Sequence, residues 1–217
     1  MGKMTFTPLQ RFMFDAVSKE TSIRERFYLT GGTALSVYHL HHRLSDDLDF
    51  FSEKDFTNEF ITAFMASLAK QKSLDITFTQ IETTRIYEYR KKQDLVLKVD
   101  FTWYPFQRLE QGMVDKGISI DSLLDIGANK LTTINQRTDV KDYVDLYFLL
   151  QTYSLCDLLY AHEKKFGIKI DLMLLAADML KVEECEYLPN MIVPITLKQL
   201  HAYFKERARE LGSRITE

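Results

Sequence analysis

Cysteine is scarce in this chain: Cys156 and Cys185 are the only two. They leave no C-x-x-C metal spacing and no disulfide framework, which fits a reducing compartment. Long apolar runs are missing as well. No stretch reaches the roughly 18 consecutive apolar residues that a bilayer-spanning helix needs. The opening MGKMTFTPLQRFMF carries neither an extended apolar segment nor a small-residue cleavage site, so the expectation is a soluble, cytoplasmic protein. Excess positive charge is lacking too. With 28 Lys+Arg against 31 Asp+Glu the formal net charge is −3, and no global field draws the protein onto nucleic acid or anionic membrane. Only a local basic groove could serve that purpose. Repeats and low-complexity segments are absent.

What is there is a core. The 217 residues are 46% hydrophobic and 12% aromatic, a composition that folds as one large domain or two small ones. Leu9, Phe12, Met13, Ala16 and Val17 recur at helical spacing, predicting an amphipathic helix within residues 7–26. RFYLT reads as a short strand halted by Gly31-Gly32, TALSVYHLHH as a helix, DLDFF as a second strand, and residues 56–70 as another helix. The period then changes. LDITFTQIE, RIYEYRK and DLVLKVDFTW are strand candidates rich in β-branched and aromatic residues, the last two joined by KKQD. From Asp121 onward the chain reads as helix almost throughout. The expected class is α+β with a mixed sheet. The expected division is an α/β core over 1–112 and a helical half over 113–217, joined near the glycines of 111–117.

Carboxylates carry the chemistry. Asp47 and Asp49 are two apart in a strand and face the same way, while Leu48 and Phe50 face the core. Side-by-side carboxylates repel, and a divalent cation relieves the repulsion; an acidic strand end at the solvent boundary has the same pattern. In DLVLKVDFT, Lys98 and Asp100 share the face opposite Leu97 and Val99. If this strand lies beside DLDFF, Asp100 becomes a third carboxylate about 5 Å away. Three such groups can hold one or two Mg²⁺ ions, as phosphoryl and nucleotidyl transfer require. A strand, a Gly-Gly turn and a helix start also direct backbone N–H groups at an anion, although most such pairs are simply turns.

In the helical half, Leu123, Gly127, Lys130, Ile134 and Arg137 lie along one stripe, so Lys130 sits beside an apolar face. It either snorkels over the core edge or reaches into a cleft to meet a triphosphate. DVKDYVDLYFLL is apolar nearly all round. There Asp139 reads as an N-cap and Asp142 as a first-turn acid, while Asp145 interrupts a buried run and needs Lys130, Lys141 or Arg137 as partner. His39, His41 and His42 invite a zinc reading but lack a nearby fourth ligand. Lys198, Lys205, Arg207, Arg209 and Arg214 make the last helix moderately basic, either a solvated face or an RNA contact.

The stretch FYLTGGTALSVYHLHHRLSDDLDFF resembles the AbiEii/AbiGii toxin family of nucleotidyltransferase-like proteins in its Leu29–Leu35 block and in His42, Arg43, Ser45, Asp47, Asp49 and Phe50. KDYVDLYFLL is similar to the family's later Lys-Asp-x-x-Asp-Leu block. The resemblance covers most of the chain and implies a polymerase-β-like nucleotidyltransferase fold, Mg²⁺ (with Mn²⁺ as the alternative) and a nucleoside triphosphate donor. It implies that Gly31, Gly32 and Thr33 contact the triphosphate, with Ser45 a further candidate. Asp47, Asp49 and Asp100 would bind metal, and Asp100 would orient the attacking hydroxyl. Lys130 and Arg137 would hold phosphate, and Asp145 would be a site residue. The helical half would complete the cleft. By the same resemblance the acceptor is tRNA or another RNA, the outcome growth arrest, and a cognate antitoxin a partner. The alternatives are transfer to a small molecule such as an aminoglycoside, and a non-catalytic nucleotide-binding protein acting through a partner.

Overall fold

The computed structural model describes residues 6–215, with side chains through Ser213. The chain divides into two compact units. The first comprises the described residues up to His39, then Ser45–Gln107 and Gln111–Asp121; the second comprises Leu40–Leu44, Arg108–Glu110 and the chain from Ser122. The chain therefore passes between units several times, with the last passage at Asp121/Ser122.

The first unit opens with α1 (Pro8–Lys19), started by a capping box in which Thr7 accepts from the Gln10 amide and Gln10 reaches back to Thr7. The helix expected within residues 7–26 breaks at Glu20, whose extended backbone separates α1 from the short α2 (Thr21–Arg24). Strand β1 (Tyr28–Thr30) leads into α3 (Gly31–Ala34), which runs on as a π-helix over Leu35–Leu40. After β2 (Asp47–Ser52) and α4 (Glu59–Lys72) come β3 (Asp75–Ile81), β4 (Thr84–Lys91) and β5 (Asp94–Trp103). The β4–β5 connection is a tight turn with Lys92 at φ 60°. Two short strands, β6 (Val114–Asp115) and β7 (Ile118–Ile120), occupy the stretch expected to be the join and the first residues of the helical half.

The seven strands among the described residues form one mixed sheet in the order β3-β4-β5-β2-β1-β7-β6. β2 runs parallel to β5 and antiparallel to β1, while β7 runs parallel to β1. Leu48, Phe50, Val99 and Phe101 point inward and are fully buried. Phe50 stacks on Phe101 at 5.2 Å between ring centroids, and Phe27 meets Phe101 edge-on at 5.0 Å. Each such side chain contributes about 1.5–3 kcal/mol by leaving water. Alternation then forces Asp47, Asp49, Lys98 and Asp100 onto the opposite face.

The second unit is helical: α5 (Leu123–Gln136), α6 (Val140–Leu149), α7 (Leu155–Phe166), α8 (Leu172–Leu180), a 3₁₀ turn (Lys181–Glu184) and α9 (Leu197–Ile215). Gly127 lets α5 approach α7, since a Cβ there would lie 2.7 Å from Leu158 Cδ2. Asp125 is fully buried, yet it accepts from Lys165 Nζ at 2.8 Å, Ser122 Oγ at 2.7 Å and the amides of Leu109 and Glu110. It thereby ties the 108–110 segment to α5. Among the described residues no helix is long and apolar enough to cross a membrane.

Candidate active site

In the first unit the acidic residues meet through strand register. Asp49 is the direct partner of Asp100 across the β2–β5 pair and of Thr30 across β1–β2. Asp47, two residues earlier, faces Lys98. The Lys98 Nζ lies 3.0 Å from Asp100 Oδ2 and 3.8 Å from Asp47 Oδ2. Burial raises the Asp100 carboxyl above its ordinary 3.8, with Lys98 opposing the shift. Burial works to lower Lys98, but Asp100, Asp47 and Asp49 outweigh it and hold the ammonium charged above its usual 10.5. Asp100 is 8% exposed, and its Oδ1 is a buried oxygen with no hydrogen-bond partner.

The glycine pair is placed differently from a turn preceding a helix. Thr30 is the N-cap residue in extended conformation, and Gly31 is already the first helical residue. Gly31 has φ +70°, and a Cβ there would overlap the Asp49 carboxylate. Both the backbone conformation and the close approach require glycine. The Thr33 hydroxyl donates to the Asp47 carbonyl and is buried, so this side chain pins the helix start to β2. Ser45 is also buried, and its carbonyl accepts from Gln10 Nε2 at 2.8 Å. Thr30 Oγ1 donates to Asp121 Oδ2 at 2.7 Å, joining the end of β1 to the end of β7.

Do these residues suit a metal? The donors are hard carboxylate oxygens of the kind Mg²⁺ and Mn²⁺ prefer. Asp100 Oδ1 lacks a partner, and the space beside Asp49 is kept by Gly31. They fit in kind. Among the described residues, however, no three carboxylate, imidazole or thiol groups are already drawn together as a ligand set; Lys98 lies against two of the carboxylates instead.

The second unit gathers the remaining candidates around Asp145. Arg43 donates to both its oxygens, Nε to Oδ1 at 2.6 Å and Nη2 to Oδ2 at 2.9 Å. His42 Nε2 meets Oδ1 at 2.7 Å, and Lys130 Nζ lies 2.6 Å from Oδ2. Lys130 also donates to Asp142 Oδ1 at 2.7 Å, and Arg137 donates to Asp142 Oδ2 at 2.8 Å. Burial would raise the Asp145 carboxyl, but Lys130, Arg43 and the hydrogen bond from His42 overcome it and hold the group well below 3.8. Asp142 is lowered likewise, burial being overcome by Lys130 and Arg137. Burial lowers Lys130, yet Asp145 and Asp142 keep it above its ordinary value. Burial depresses His42 below its ordinary 6.5, and because the Asp145 carboxylate can only accept, the ring donates to it from Nε2.

Thus Lys130 is committed to two carboxylates, while the Arg137 side chain is 61% exposed beyond its bond to Asp142. Asp139 caps α6 by accepting from the Lys141 amide. His42 and Arg43 are partners of Asp145 that local spacing does not reveal, because more than a hundred residues separate them from it. The sequence signal they do carry is their place, as an adjacent His-Arg pair, in the block that resembles the family. His39 meets the Asp121 carbonyl at 2.9 Å, so it and His42 serve different carbonyl and carboxylate partners. On α9, Lys205 pairs with Glu183 and Arg207 with Glu210; the Arg214 side chain lies outside the described residues.

Comparison with known proteins bears on the whole chain. A family model described as nucleotidyl transferase AbiEii toxin, Type IV TA system, matches residues 11–210. An uncharacterized protein, aq_aa25, of Aquifex aeolicus (strain VF5) is 28% identical over 215 residues, covering 93% of this chain and 97% of its own length. Among solved structures, JHP933 from Helicobacter pylori has TM-score 0.58 and 21% identity, with 98% of this chain and 95% of that one covered. MenT4, a nucleotidyltransferase toxin from Mycobacterium tuberculosis H37Rv, has TM-score 0.56 and 13% identity, with 94% and 82% covered. These two likenesses show the α+β nucleotidyltransferase fold. With 200 residues of matched pattern (11–210), a mixed sheet that sets Asp49 opposite Asp100, and a glycine held against Asp49, this chain belongs to the AbiEii nucleotidyltransferase toxin family.

Proposed function

We propose that the protein transfers a nucleotide from a nucleoside triphosphate to a hydroxyl of an RNA acceptor, with Mg²⁺ (or Mn²⁺) bound by Asp47, Asp49 and Asp100. The observation that carries the reading is the direct pairing of Asp49 with Asp100 on parallel strands, beside Asp47 on the same face. A bound divalent ion would supply charge neutralisation at the α-phosphate and polarise the attacking hydroxyl. Asp100, whose carboxyl burial makes more basic than usual, accepts or orients the hydroxyl proton. Gly31 allows the backbone at the start of α3 to come close to the ligand, and the first-turn amides, which have no intrahelical acceptor, donate to phosphate oxygens. Thr33 keeps that turn against β2 through its bond to the Asp47 carbonyl. Asp145 and Asp142 hold Lys130, Arg43 and Arg137 in fixed positions within the helical unit. Family membership supports a toxin role countered by a cognate antitoxin.

The test is transfer itself. Purified protein incubated with each α-labelled NTP, Mg²⁺ and total cellular RNA should give labelled RNA. The signal should vanish with EDTA and in Asp49→Ala. Silence with all four nucleotides would refute the RNA acceptor, and label appearing on an aminoglycoside under those conditions would establish the small-molecule reading in its place.

A further inference from the structure

Lys98 belongs to the same strand face as Asp100 and stands opposite Asp47 in the β2–β5 register. Its ammonium is 3.0 Å from one Asp100 oxygen and 3.8 Å from one Asp47 oxygen, while the second Asp100 oxygen is buried without a partner. A positive charge therefore bridges two strands where the site's function calls for a divalent ion, and a further oxygen remains unsatisfied beside it. We propose that Lys98 is a tethered counter-cation of this site, one that neutralises Asp47 and Asp100 in the free protein, must withdraw when a divalent ion binds, and so sets the affinity for metal. The inference rests on the metal-dependent reading above and adds to it a residue with a defined effect.

The physical case has three parts. An ammonium and a divalent ion compete for the same oxygens, and their like charges cannot share them at short range. Lysine suits the part because it carries a compact charge on a flexible four-carbon stem, so it can leave without moving the strand. Its side chain is 29% exposed, so water can receive the head group once displaced. Without Lys98, Asp47 and Asp100 would lose the cation that lies against both, and a divalent ion would relieve the repulsion between them. With it, the free site is stable, and metal must displace a charge-assisted hydrogen bond in order to bind.

Mn²⁺ titration of the full chain followed by electron paramagnetic resonance reads this directly, without turnover. Lys98→Met removes the charge and keeps the stem; it should bind Mn²⁺ about tenfold or more tightly than the parent, the scale of one lost charge-assisted competitor. Lys98→Gln, which keeps a polar group at the same position, should tighten binding in the same direction, and Lys98→Arg should stay near the parent. Asp49→Ala added to Lys98→Met should abolish the gain. If the parent binds Mn²⁺ and folded Lys98→Met and Lys98→Gln bind it equally or less tightly, Lys98 is not a competitor, while the metal-dependent reading survives. If neither the parent nor the variants bind Mn²⁺ with or without NTP, both fall together.

Discussion

Replacing Asp145 by Asn tests whether this carboxylate organises the helical unit. Asp145 is fully buried and receives Arg43 through two hydrogen bonds, His42 through one, and Lys130 at 2.6 Å. Lys130 would keep Asp142 at 2.7 Å after the substitution, whereas Arg43 would keep the Leu44 carbonyl at 2.9 Å and at most one bond to the neutral amide oxygen, with an NH2 donor set against its other N–H. The loss therefore falls on Arg43, whose side chain is 3% exposed and cannot recover its hydration. Breaking a buried pair from one side costs about 3–5 kcal/mol, because the remaining charge stays desolvated. Against a whole stability of about 5–15 kcal/mol this is a large fraction. With a urea slope of about 1–3 kcal/mol/M it should lower the unfolding midpoint by at least ~1 M. Circular dichroism in urea measures it. The double variant Asp145→Leu/Arg43→Met removes both charges and should recover much of the loss. An Asp145→Asn penalty below about 1 kcal/mol, or a double variant whose losses simply add, would refute the argument that Arg43 and Asp145 act as a mutually dependent buried pair.

Three further outcomes follow from the same structure. Gly31→Ala puts a side chain at φ +70° and into the Asp49 carboxylate, so it should lose about 1–2 kcal/mol on backbone grounds alone and abolish transfer, checked by thermal melting and the labelling assay. Asp100→Asn should abolish Mn²⁺ binding and transfer while leaving the melting temperature unchanged or raised at pH 7. A carboxyl raised by burial is favoured in its protonated form by the fold, so its ionised form opposes folding at neutral pH. Acid should act in two steps on the helical unit. His42 is depressed below 6.5 and Asp145 well below 3.8, so in each window the unfolded chain takes up more protons and stability falls as pH falls. Stability measured against pH should decline first below about 6.5 and again below about 4, and His42→Gln should shrink the upper step, leaving the share of His162, which burial also lowers; a flat profile between pH 7 and 5 in the parent would contradict the depression of these histidines.

Alternation alone makes the face of each acidic residue readable: two-residue periodicity in DLDFF and DLVLKVDFT sets Asp47, Asp49, Lys98 and Asp100 opposite Leu48, Phe50, Val99 and Phe101. Periodicity is silent on register, and the β2–β5 pairing that brings Asp49 to Asp100 comes from the tertiary arrangement. The hairpin β6–β7 is hidden in the sequence because strands of two and three residues are too short to display a period; its one local mark is Lys116-Gly117, both at positive φ as a tight hairpin turn requires. The glycine pair misleads in a different way. Glycine is poor inside helices, so Gly31-Gly32 reads as a break, yet the close approach of Asp49 leaves room for no other residue at the first helical position. Nothing local distinguishes the π-helix over Leu35–Leu40 from an α-helix. Asp145 shows the sharpest limit. Its place in an apolar run demands a cationic partner, and the helix stripe offers Lys130, but Arg43 and His42 lie more than a hundred residues away in sequence. What a buried charge requires is readable from its neighbours in the chain; which residue answers is decided by the fold. That is why Asp145 tests the helical unit's packing while Lys98 tests the chemistry of the sheet.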